Sequence, residues 1–254
     1  MENVRLIARL DIKAPNLVKG VQLEGLRKLG SPNDFAREYY RQGIDEILYM
    51  DIVASLYERN SILSLVEAAT AEVFVPITVG GGIRSVFDVA KALRAGADKV
   101  AINTAAIKRP ELLTEIARHF GSQCMVLSIE AKSTTPGRWE AYFDNGREHT
   151  GKDAVAWARE GEALGAGEIL LTSVDHEGMA AGMDIALIRA VREAVTIPVI
   201  ASGGVGSVDH LEAAVRKGGV RAVAMAHTLH YRHQSVGEIR AEAIRRGLNV
   251  RQVA

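Results

Sequence analysis

The sequence predicts an α/β chain folded as one (β/α)8 TIM barrel over residues 1–254, built from two half-barrel repeats. Three observations predict it. Short β-branched runs alternate with longer amphipathic stretches. Most of the runs are apolar on both faces, as parallel strands covered by helices require. The chain also repeats itself at about half its length: Asp51 and Asp175 lie 124 residues apart, Gly82 and Gly204 lie 122 apart, and Asp11 and Glu130 lie 119 apart. A doubly wound open sheet would share the first two features, but a repeat covering four strands favours two stacked half-barrels.

The expected strands are Arg5–Ile12, Glu46–Ile52, Pro76–Gly80, Lys99–Asn103, Cys124–Glu130, Glu168–Asp175, Pro198–Ser202 and Ala222–Ala226. Helices should begin at Ser31-Pro32, with Ser31 as N-cap and Pro32 at the first helical position, at Arg109-Pro110-Glu111, and behind Ser85, Asp184 and Ser207. Gly43, Gly96, Gly165 and Gly218 follow helical stretches, where a left-handed cap is expected. Two connections are long. Lys13–Gly30 reads as a loop, a functional lid or a disordered segment; Ser133–Gly151, with Pro136-Gly137 and Asn145-Gly146, reads as a small hairpin.

Composition excludes several classes. The 254 residues are 48% hydrophobic and carry 31 basic and 31 acidic side chains, which rules out a disordered chain and argues against a general nucleic-acid binder. No apolar run is long enough for a membrane span. The start from Met1 lacks a signal-peptide core, and the lone Cys124 cannot form an internal disulfide, so a cytoplasmic location is expected. No metal-ligand spacing, P-loop or dinucleotide fingerprint occurs, so neither metal nor cofactor is expected.

Barrel chemistry sits at the C-terminal ends of the strands. There the sequence places Asp11, Asp51, Glu130 and Asp175, more carboxylates than a barrel needs, although each could serve as a cap or loop anchor. Asp11 and Glu130 end apolar runs on opposite walls and could act as acid and base on a ligand between them. Gly80-Gly81-Gly82 and Ser202-Gly203-Gly204 precede helix starts and suit phosphates; Asn103 and Thr104 join the first site, and His227 stands at the end of the eighth strand, where a lone His is more often structural. Two such sites imply a substrate phosphorylated at both ends. At the opposite mouth, Arg5, Glu46, Lys99 and Glu168 could close an ionic ring around a central passage.

The motifs Leu10-Asp11-Ile12-Lys13, Val79-Gly80-Gly81-Gly82-Ile83, Ile102-Asn103-Thr104-Ala105-Ala106, Gly165-Ala166-Gly167-Glu168-Ile169 and Ile200-Ala201-Ser202-Gly203-Gly204 together resemble the cyclase subunits of imidazole glycerol phosphate synthase, in the histidine-biosynthesis barrel family. The resemblance runs over nearly the whole chain. It implies that ammonia from a glutaminase subunit, docked as a heterodimer near Asp98 and Gln123, passes a gate of Arg5, Glu46, Lys99 and Glu168. The ammonia would convert an open-chain aminoimidazole ribonucleotide with two phosphates into imidazole glycerol phosphate and an aminoimidazole carboxamide ribonucleotide. Asp11 matches the main catalytic carboxylate and Glu130 the second, an Asp in the family; Lys19 matches the loop that closes over substrate. Asp51, Gly178, Asp175, Ala226 and His227 complete the implied binding set. The chain departs from the family pattern at Arg9, Glu130, Glu177, Met179 and His227. That cluster leaves a second activity open, ammonia-dependent amidation of a nucleotide-linked sugar, and a third reading in which the barrel only binds a glutaminase.

Overall fold

A computed structural model describes residues 3–54 and 62–253. β1 (Arg5–Lys13) leads into a hairpin of β2 (Asn16–Val21) and β3 (Glu24–Gly30), then β4 (Glu46–Asp51), β5 (Ile77–Gly80), β6 (Lys99–Ile102) and β7 (Met125–Thr135). A second excursion, β8 (Arg138–Phe143) and β9 (Glu148–Asp153), precedes β10 (Glu168–Ser173), β11 (Val199–Ser202) and β12 (Ala222–Met225). β1, β4, β5, β6, β7, β10, β11 and β12 pair in parallel and close on themselves through β12–β1 and β7–β10. The result is the expected eight-stranded barrel.

Helices pack outside: α1 (Pro32–Arg41), α2 (Leu63–Thr70), α3 (Val86–Arg94), α4 (Thr104–Lys108), α5 (Glu111–Phe120), α6 (Ala154–Ala163), α7 (Ile185–Ala194), α8 (Val208–Arg216), α9 (His227–His230) and α10 (Val236–Arg245). Strand residues facing them, such as Leu6, Ala8 and Leu10, join the large core between barrel and helices. Their neighbours point inward. Ile7, Leu48, Ala101, Val126, Leu170 and Ile200 form a separate apolar layer across the barrel interior. No described helix is long and apolar enough to cross a membrane.

The caps follow the sequence in part. Ser85 accepts from the Asp88 amide at 3.2 Å and Asp184 from the Leu187 amide at 3.0 Å, whereas Ser31 and Ser207 hold the cap positions with no side-chain capping bond. Gly43, Gly96 and Gly165 are left-handed, but after α8 that conformation falls on Gly219 (φ 78°), not Gly218. Cys124 is buried in a 3-10 turn just before β7 and does not begin the strand.

The Lys13–Gly30 connection is not the loop expected. It is a β2–β3 ribbon that we call the strap, attached to β1 through the Ile12–Leu17 pair. Burial explains it: Leu17, Val18 and Lys19 are all covered. Its two-residue turn is Gln22-Leu23, both with positive φ, where Asn-Gly would be the usual signal. The Ser133–Gly151 hairpin does form, because β7 runs on to Thr135 and turns at Pro136-Gly137 to pair with β8.

Candidate active site

The two ends of the barrel carry different charge arrangements. At the N-terminal mouth Arg5, Glu46, Lys99 and Glu168 meet in a closed cycle. Arg5 Nη1 lies 2.6 Å from Glu46 Oε1, and Arg5 Nη2 pairs with Glu168. Lys99 Nζ lies 2.8 Å from Glu168 Oε2 and 3.5 Å from Glu46 Oε2. Burial opposes the Arg5 charge, but Glu168 and Glu46 more than offset it and raise its pKa. Asp98 and Gln123 are exposed at the same end. Asp98 accepts from the Ile77 amide at 2.8 Å, and Gln123 donates to the Phe120 carbonyl at 3.1 Å.

The C-terminal end buries its charges. Arg9, 2% exposed, donates from Nε to Asp11 Oδ1 at 2.9 Å, and from Nη1 to Thr172 Oγ1 at 2.8 Å and Ser202 Oγ at 3.2 Å. Lys19 reaches in from the strap. Its Nζ pairs with Glu177 and lies 3.5 Å from Asp11 Oδ2. Burial alone would push the Asp11 pKa up; the Arg9 and Lys19 charges outweigh it and hold Asp11 below its ordinary value. Asp11 is therefore fixed as an anion.

Glu130 is the opposite case. It accepts from the Gly146 amide at 2.7 Å and from Asn103 Nδ2 at 2.9 Å, but among the described residues no cation pairs with it directly. Burial dominates, Arg9 offsets it only in part, and the pKa is pushed up to about 7. Two neighbouring carboxylates thus differ in protonation at neutral pH, the pattern that separates acid and base roles. His230, which the sequence reading missed, supports the arrangement from behind. Its Nε2 lies 2.9 Å from the Arg9 carbonyl and its Nδ1 2.7 Å from the Tyr39 hydroxyl. Burial pushes its pKa down to about 4, so it is neutral.

A cavity of about 370 Å³ opens above Glu130 and Arg9. It brings together Asp51, Gly82, Asn103 and Thr104 as expected, and adds three cations that were not singled out: Arg84, Lys108 and Arg109. The signal was their position, two residues after Gly82 and four and five residues after Thr104. Gly81 (φ 88°) is required here, because a side-chain carbon would collide with the Asp51 carbonyl. Asn103 turns to Glu130 and the Tyr142 carbonyl, and the Thr104 hydroxyl accepts from the Asp144 amide at 3.2 Å.

The repeat-related site is nearly closed. Gly178, Gly203, Gly204, Ala226 and His227 surround only about 10 Å³, together with Glu177. Asp175 is not in either cavity. Its Oδ2 accepts from the Ser133 amide at 2.8 Å, and its carbonyl from Gln22 Nε2 at 3.0 Å, so it anchors the β7 extension and the strap. The extension of β7 beyond Glu130 brings the Ser133 amide to its carboxylate. No group of three or more His, Cys, Asp or Glu that could hold a metal occurs among the described residues.

A sequence model of the family described as "Histidine biosynthesis protein" matches residues 5–235. The chain belongs to this histidine-biosynthesis family. Among its relatives, a Legionella pneumophila protein named "Imidazole glycerol phosphate synthase subunit HisF" is 65% identical over 209 residues, covering 82% of this chain and 99% of that protein. A Myxococcus xanthus (strain DK1622) protein of the same name is 51% identical over 249 residues, covering 98% of both. Family membership agrees with the eight-stranded barrel.

Proposed function

We propose that the chain is a cyclase subunit of imidazole glycerol phosphate synthase, a lyase of histidine biosynthesis, formed as one barrel domain over residues 1–254. It works in the cytoplasm as a heterodimer with a glutaminase subunit seated on the rim that carries Asp98 and Gln123. Ammonia released there passes the ring of Arg5, Glu46, Lys99 and Glu168 along the barrel axis. The phosphorylated substrate lies on the opposite face, with one phosphate against Gly82, Thr104, Arg84 and Lys108, and the other toward Gly203, Gly204 and His227.

The observation that carries this reading is Glu130, a buried carboxyl that lines the 370 Å³ cavity and accepts from Asn103 and Gly146; burial pushes its pKa up to about 7. Ammonia becomes positively charged as it bonds to the substrate and must lose a proton; the leaving nitrogen must gain one as its C–N bond breaks. A group half-protonated at neutrality can do both. Asp11, fixed as an anion, stabilises the transient positive charge. Asn103 and Gly146 orient Glu130 by donating to it. No cofactor takes part in these steps.

The test is formation of imidazole glycerol phosphate from the open-chain bis-phosphate ribonucleotide with a concentrated ammonium salt and no partner. Turnover is expected, and Asp11→Asn should abolish it. Substrate that binds without turning over would overturn the reading. The near-closed second site and Arg9 in the cavity wall favour one alternative, ammonia-dependent amidation of a nucleotide-linked sugar, whose phosphates lie together at one end. A nucleotide-sugar product in place of the imidazole would decide for it.

A further inference from the structure

The two glycine turns are related by the repeat, yet one is open and the other is full. Gly81-Gly82 opens on about 370 Å³ beside Arg84, Lys108 and Arg109, while Gly203-Gly204 faces about 10 Å³. Glu177 is among the groups that close it. It is 3% exposed, and its Oε2 lies 3.5 Å from where a Cβ on Gly203 would stand. Its other oxygen is ion-paired with Lys19 of the strap, which is buried with it. The backbone locks the arrangement. The Gln22 amide donates to the Glu177 carbonyl at 2.7 Å, and Gly178 packs so closely on the Gly20 carbonyl that a Cβ would collide with it.

A carboxylate on a lysine beside a glycine turn draws on the charge that a phosphate there would use. A phosphate and Glu177 crowded against Lys19, which also lies 3.5 Å from Asp11 Oδ2, repel each other. We propose that Glu177 is a specificity-determining residue, an internal anion that fills the second phosphate subsite, so that a ligand phosphate enters there only by displacing the Glu177 carboxylate from Lys19. This inference rests on the reading of the glycine turns as phosphate subsites. Its consequence is an ordered site. A phosphate at Gly82 binds without cost to the strap; a molecule phosphorylated at both ends must also break the Lys19–Glu177 pair.

The probe is inorganic phosphate, titrated into the full chain by calorimetry and 31P NMR, with phosphate-soaked crystals to locate it. The wild-type chain should bind one phosphate, at Gly82. Glu177→Gln should bind a second at Gly203, at least about tenfold tighter than the wild type does there. A variant that binds no second phosphate overturns the proposal. Wild-type crystals answer the question without a variant. A second phosphate with Glu177 swung away from Lys19 supports displacement; a second phosphate with Glu177 still on Lys19 overturns it. Failure of the underlying reading looks different: phosphate at Gly82 is then missing from both proteins, while a phosphate gained at Gly203 in Glu177→Gln still supports the role of Glu177.

Discussion

The two mouths of this barrel solve opposite electrostatic problems with similar side chains. At the N-terminal mouth two cations and two carboxylates alternate, every charge is matched, and the cations are still 21–27% exposed through their side chains. At the C-terminal mouth Arg9 and Lys19 stand among buried carboxylates that include Asp11, Glu177 and Glu130. Arg9 and Lys19 pair with the first two. Glu130 is held by hydrogen bonds, with no ion pair among the described residues, and its pKa rises to about 7. A balanced ring makes a static structure; a buried carboxylate without an ion pair makes a group that exchanges protons near neutrality.

After the loss of turnover in Asp11→Asn, the largest expected effect sharpens that contrast. Glu130→Gln keeps the shape and removes the proton-transfer group, so kcat with ammonium salt should fall by about 10²- to 10⁴-fold, with a smaller change in KM. Next, Arg9→Met strips Asp11 of its closest cation and leaves a buried charge on Lys19 alone. Chemical denaturation should show a loss of about 3–5 kcal/mol. A loss no larger than that of a ring variant would break the comparison.

The third effect is pH dependence. Because the folded pKa of Glu130 lies above the ordinary value of 4.5, the folded state binds the extra proton between pH 4.5 and 7, and stability falls as pH rises through that window. At pH 8 Glu130→Gln should be more stable than the wild type by roughly 3 kcal/mol, and the gap should close below pH 4.5. The smallest effect belongs to the ring. Arg5→Met should cost only about 1 kcal/mol in stability, since the side chain is partly solvated. Its visible consequence is in coupling: glutamine-driven turnover should fall while turnover on ammonium salt is retained.

The barrel was legible because its evidence is periodic. Apolar runs, glycine punctuation and a half-length repeat all survive in one dimension. The ring was legible too, since Arg5, Glu46, Lys99 and Glu168 each begin a strand. What could not be read depends on contacts between distant segments. The strap's turn is Gln22-Leu23, residues with no turn preference, and its closure depends on Glu177 from the far side of the barrel. Asp175 matches Asp51 in the repeat, but its bond to the Ser133 amide depends on β7 running to Thr135, further past Glu130 than β1 runs past Asp11. His230 carried no motif at all; only the fold brings it to the back of Arg9.

The most direct test of the account is the protonation of Glu130 itself. Infrared difference spectra of the intact chain between pH 5.5 and 8.5, with Glu130→Gln as reference, should show one buried carboxyl stretch that disappears with a midpoint near pH 7 and is missing from the variant. A carboxyl that titrates near 4.5, or a wild-type spectrum identical to the variant's across this range, would contradict it.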